Sequence, residues 1–166
     1  MDEASRHSNT CPFCLPETQR NAFANSESFL ALYNNAPVLP GHTLIIPRVH
    51  IESLRSIPDN LITEFFLFAR DVTEMLLGHY HADAFDWSIQ DNKAAGQTVP
   101  HLHLHIVIRH PDDLPEPGDW YPLLDAQRKT DNETRPKLST TEYTEITEQL
   151  RSAYSLYRKQ GGIRSL

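Results

Sequence analysis

The chain of 166 residues has few thiols, no long apolar run and no basic excess. Its two cysteines, Cys11 and Cys14, lie near the start, and so few suit a reducing compartment. No apolar stretch approaches the ~18 residues that a transmembrane helix requires. The opening residues Met1-Asp2-Glu3-Ala4-Ser5-Arg6-His7 carry no apolar signal-peptide core, which predicts a cytoplasmic protein without a membrane partner. Lys and Arg number 15 against 22 Asp and Glu, a net charge of −7. That balance argues against a nucleic-acid partner, which wants a basic face, but leaves open a small phosphorylated ligand held by a local nest of donors. What remains is ordinary for one globular domain, with 39% apolar and 22% charged residues. The excess is in histidine: nine of them, which globular stability does not require.

The pattern along the chain predicts an α+β domain with a mainly antiparallel sheet. Residues 1–10 are polar and expected to be flexible. Cys11-Pro12-Phe13-Cys14-Leu15-Pro16 reads as a tight turn, followed by a polar stretch to about Asn25. Ser28–Tyr33 and Thr43–Ile46 read as paired strands around Pro40-Gly41-His42. From Asp59 to about Gly78, apolar residues recur every three or four positions, a long helix. Ala84–Gln90 alternates with period two, 91–97 reads as a loop, and His101–Ile108 reads as another strand. Residues 110–136 are rich in Pro and Asp and are expected to be irregular. Ser139 with Glu142 starts a final helix, with Tyr143, Ile146, Leu150, Tyr154 and Tyr157 on one face.

The chemistry concentrates at His101-Leu102-His103-Leu104-His105. Strand side chains alternate, so the imidazoles share a face at about 6.6 Å intervals while the leucines enter the core. Three imidazoles in a row suit acid–base and nucleophilic work near neutral pH. A metal site on one strand is a competing reading, although no nearby Glu completes a ligand set. Just upstream, Gly96-Gln97-Thr98-Val99 offers an amide, a hydroxyl and backbone N–H groups able to hold phosphate. Cys11-x-x-Cys14 has the spacing of a zinc clasp or a redox pair. The redox reading wants a helix start, and here the context is a Pro-rich turn. Zinc needs two more nitrogen or sulfur ligands, for which His50 is a candidate.

The run from Gln90 to Val107, with Gly-Gln-Thr-Val ahead of His-Leu-His-Leu-His, resembles the signature of the histidine triad superfamily. Pro40-Gly41-His42 with Pro47-Arg48 resembles that family's second common segment, and the likeness spans about residues 11–110. The resemblance implies a sheet of about five antiparallel strands with one long helix and a C-terminal helix, in which 111–166 complete the same domain. It implies hydrolysis or transfer at the α-phosphate of a purine nucleotide or dinucleotide. His103 would be the nucleophile that carries the nucleotidyl group, with His105, His101 and Gln90 assisting. Asn34 would meet the ribose; Gln97, Thr98 and Val99 would meet phosphate; His42 is either a substrate contact or a simple turn residue. Phe29 or Leu32 would wall the base pocket, though core packing explains both equally well.

For the cysteines the resemblance implies a structural zinc site of Cys11, Cys14, His50 and His101, with His101 otherwise a positioning residue. Mg²⁺ bound to substrate is compatible with this arrangement. It further implies a homodimer through the long helix and an edge strand. The remaining histidines, His7, His79, His81 and His110, read as surface residues. Residues 111–120 depart from a Gly-Asp-x-x-Asp-Pro stretch common in bacterial members, and the chain lacks the Trp-containing tail of the phosphoramidase branch. The first departure bears on leaving-group specificity, and the second favours dinucleoside polyphosphates as substrates. Adenosine phosphoramidate hydrolysis and a nucleotide-sensing role with weak turnover are the alternatives.

Overall fold

The computed structural model describes residues 11–116, 118–130 and 135–162. The expected flexible segment 1–10, with His7, lies outside them. Among the described residues five strands form one sheet: β1 (Ala24–Asn25), β2 (Phe29–Tyr33), β3 (Thr43–Pro47), β4 (Ala84–Ile89) and β5 (Leu104–Arg109). Their spatial order is β1-β2-β3-β5-β4, and every neighbouring pair is antiparallel. Among the described residues four α-helices accompany them: α1 (Pro16–Arg20), α2 (Asp59–Tyr80), α3 (Trp120–Lys129) and α4 (Thr140–Lys159).

Strand parity divides the sheet into two unlike faces. Phe29, Ala31, Ile45, Leu104, Ile106 and Ile108 join Phe65, Phe68, Val72 and Leu76 of α2 in the main core. Helix α4 seals this core with Leu150 and with Tyr143, Ile146, Tyr154 and Tyr157. It starts at a complete capping box, Ser139 with Glu142. Asp71 of α2 pins its far end, accepting from Tyr154 Oη at 2.9 Å and from Arg158 at 2.8 Å. The opposite face carries a smaller cluster of Leu30, Leu32, Leu44 and Ile46, covered by Phe13 and Ala22. His105 belongs to that face, because its ladder partners are Leu44 on β3 and Ser88 on β4.

The structure corrects four expectations. The polar stretch before Asn25 contains α1 and β1, elements of five and two residues that are too short for a periodic signal. The stretch 110–136 contains α3; its Pro122 falls in the first helical turn, where a missing N–H leaves no hydrogen bond unmade. The triad strand begins only at Leu104, because Leu102 N donates to Ile51 O at 2.6 Å outside the ladder. Phe29 faces the main core, 5.1 Å from Phe65, and walls no pocket.

Gly41 is required where it stands. Its φ is +85°, and a Cβ there would lie 2.9 Å from Ile108 and 3.2 Å from Tyr80. The tight turn it permits delivers His42 to the head of β3.

Candidate active site

Hydrogen-bond partners fix where each histidine of the triad carries its proton. His103 Nδ1 lies 2.7 Å from the carbonyl oxygen of His101, which can only accept. His103 therefore carries its proton on Nδ1 and keeps a lone pair on Nε2. His42 has the opposite arrangement: Val38 N–H donates to its Nδ1 at 3.2 Å, so its proton is on Nε2. That Nε2 lies 2.8 Å from His105 Nδ1, which must accept. His105 is left with its N–H on Nε2. His101 in turn donates from Nε2 to Pro47 O at 2.9 Å, which frees its Nδ1 as a lone pair.

Burial keeps the rings neutral, since taking an imidazolium out of water is costly. It pushes His42 down to about 3 and His101 down to about 4. His103 is lowered by burial against the opposing pull of the His101 carbonyl. His105 is held well below its ordinary value, by burial first and by His103 and His42 next. His42 is wholly buried, so a simple turn residue is a poor description of it.

His103 and His105 line a cavity of about 590 Å³ on the second sheet face. Gln90, Asn34, Thr98 and Val99 line it as well, as does Leu32. Gln90 donates to Ser88 Oγ at 2.5 Å, which braces it beside the triad strand. Asn34 accepts from Ala36 N at 3.0 Å, and its Nδ2 lies 3.3 Å from both ring nitrogens of His42.

Gln97 is not among the lining residues. Its Oε1 accepts from Asn92 N at 2.9 Å and its Nε2 donates to Glu52 O at 2.8 Å, so the amide ties the loop that presents Thr98. His42 and His101 likewise lie outside the cavity lining.

Residues that sequence reasoning missed come from both ends of the chain. Pro12 and Phe13 form one wall; Leu124, Arg135, Lys137, Leu138 and Tyr143 form another. Arg135 and Lys137 bring two cations to a cavity for which the sequence had offered amide, hydroxyl, imidazole and backbone donors. The acidic overall balance hid them, and no local pattern marks either residue.

Cys11, Cys14, His50 and His101 converge beside this wall, with their ligand atoms all within 4.8 Å of one another. Cys11 Sγ is 3.4 Å from His101 Nδ1, Cys14 Sγ is 3.4 Å from His50 Nδ1, and Cys14 Sγ is 3.6 Å from His101 Nδ1. A tetrahedral zinc with Zn–S ~2.3 Å and Zn–N ~2.0–2.1 Å has sulfur–nitrogen edges of about 3.5 Å, so the donor set fits. The surrounding partners fit too: His101 is oriented by Pro47 O, and His50 Nε2 lies 3.3 Å from Glu52 Oε1. Burial and the neighbouring Cys11 push the Cys14 thiol up to about 11, a penalty that a bound cation reverses.

Phe13, between the two cysteines, joins this cluster to the cavity. Its ring stands edge-on to His101 at 5.6 Å and to His103 at 5.5 Å. Among the described residues no helix is long and apolar enough to cross a membrane.

Residues 16–112 match the family model described as HIT domain. The bis(5'-adenosyl)-triphosphatase of Dictyostelium discoideum is 32% identical over 111 residues, 67% of this chain and 74% of that protein. The asymmetrical bis(5'-nucleosyl)-tetraphosphatase of Schizosaccharomyces pombe is 36% identical over 94 residues, 57% of this chain and 52% of that protein. Among solved structures, a zinc-bound histidine triad family protein from Mycobacterium smegmatis superposes with a TM-score of 0.68 at 25% identity. That match covers 92% of this chain and 99% of the other.

Proposed function

The chain belongs to the HIT domain family, and from that premise we propose that it hydrolyses dinucleoside polyphosphates at an α-phosphate through a nucleotidyl-His103 intermediate. One observation carries the reading: the two cavity-lining histidines have opposite proton arrangements, a bare Nε2 on His103 and an N–H on His105. The lone pair of His103 Nε2 forms a bond to the α-phosphorus as the P–O bond to the leaving phosphate breaks. His105 Nε2–H donates to the oxygens on which charge develops, aided by Gln90 and Thr98. Water then attacks the phosphoramidate, the P–N bond breaks, and a nucleoside monophosphate leaves. The His101 carbonyl stabilises His103 while its ring carries positive charge, through Nδ1–H. Asn34 and Leu32 receive the nucleoside, and Val99 closes the phosphate side.

The phosphatases of Dictyostelium and fission yeast support diadenosine tri- and tetraphosphate as substrates. Cys11, Cys14, His50 and His101 would hold zinc, which when bound crosslinks the N-terminal turn to the sheet. Any Mg²⁺ in the reaction arrives with the polyphosphate. Two free thiols fit a cytoplasmic protein. A homodimer is supported by the free edge of β4, where Phe85 is 45% exposed, and by Phe66 of α2, which is 38% exposed. Residues 11–110 carry the reacting groups, and the segment from 111 onward completes the same domain.

The test is turnover of diadenosine tri- and tetraphosphate with mass detection of nucleotidylated protein. His103→Ala is expected to abolish both. Substantial turnover by that variant overturns the mechanism.

A further inference from the structure

The wall formed by residues 135–138 differs electrostatically from the rest of the cavity. Among the described residues that line it, Arg135 and Lys137 are the charged ones, and no Asp or Glu accompanies them. In a chain of net charge −7, that makes the cavity locally cationic. Arg135 Nε is buried without a hydrogen-bond partner, and among the described residues its guanidinium meets Thr130 O at 3.5 Å. A buried unpartnered donor is costly, and an anionic acceptor removes the cost. The wall is held in place: Leu138 N donates to Asn35 O at 2.9 Å, and the capped start of α4 follows at Thr140. The attacked phosphate already has its donors in His105, Gln90 and Thr98, so two further cations exceed what one phosphate requires.

We propose that Arg135 and Lys137 bind a phosphate of the substrate other than the one under attack, and thereby select a polyphosphate leaving chain over an uncharged one. The proposal rests on the reading of His103 and His105 as a nucleotidyl-transfer site. Arginine suits the role because its planar fork pairs two phosphate oxygens at once, while lysine supplies a mobile point charge.

The test compares kcat/KM for diadenosine tetraphosphate and for adenosine 5′-phosphoramidate, whose leaving group is ammonia. Wild type, Arg135→Gln, Lys137→Gln and the double variant are measured, with thermal melts to confirm folding. The expected result is a fall of about tenfold or more in the tetraphosphate-to-phosphoramidate ratio for the double variant, with each single variant between. Equal losses on both substrates, or no loss, overturn the proposal. A 2′-phosphate on the ribose is the other source of a second phosphate. Preference for adenosine 2′,5′-bisphosphate over AMP that disappears in the double variant, with the ratio unmoved, assigns the cations there and also overturns it. A wild type inactive on both substrates defeats the underlying reading instead.

Discussion

His42 Nε2 donates to His105 Nδ1 across 2.8 Å, joining the turn at Gly41 to the triad strand. The backbone N–H of Val38 sets this direction by occupying His42 Nδ1, so a main-chain group two bonds upstream decides which proton His105 can offer. His42 is a positioning residue in this sense and does not line the cavity.

Removing that relay leaves His105 Nδ1 without its donor and its tautomer unassigned. His42→Ala is expected to lower kcat about 100-fold, within the usual contribution of a positioned acid, while KM changes little. Steady-state kinetics on diadenosine tetraphosphate decide this, and a kcat within twofold of wild type rules the relay out.

Acid should destabilise the fold through the same pair. His42 titrates near 6.5 when unfolded and is pushed down to about 3 when folded, and His105 is lowered as well. Between those values the unfolded chain binds more protons. The stability is therefore present above pH ~6.5 and is lost as pH falls toward ~3, at up to ~1.4 kcal/mol per pH unit per proton. Urea melts of wild type and His42→Gln between pH 7 and pH 5 should give the variant the shallower pH slope. Parallel slopes count against this account.

The metal clasp should affect the site without touching phosphate. Zinc analysis is expected to find about one ion per chain, and Cys14→Ser to lower it together with Tm by about 5–10 °C. Phe13→Ala should keep the zinc yet lower kcat, because Phe13 stands between the clasp and the His103 ring. Full activity in Phe13→Ala separates the two sites.

Charge placed on the free edge of β4 should disrupt association. Phe85 packs on Trp87 at 5.7 Å and remains half exposed. Light scattering is expected to give a dimeric wild type and a monomeric Phe85→Glu. A monomeric wild type removes the dimer from the reading.

The long elements were legible because periodic burial writes itself into sequence. The stripe of α2 and the capping box of Ser139 and Glu142 are local features, and they appear where the spacing places them. Short elements such as α1 and β1 left no such trace. The proline in α3 pointed the wrong way, since its cost depends on its place within the turn. Leu32 and Phe29 were equivalent as sequence; strand parity put one in the cavity wall and the other in the core.

By itself the sequence determined which residue types stand at alternating positions of the triad, and that a Cys-x-x-Cys turn and a glycine-borne His42 accompany them. Three identical imidazoles carry no information about their protons. Tertiary structure decided those, because each ring has a different backbone or side-chain partner brought from far along the chain: Pro47 O for His101, the His101 carbonyl for His103, and His42 for His105. Tautomer follows from hydrogen-bond geometry, and that geometry exists only once the strands are paired.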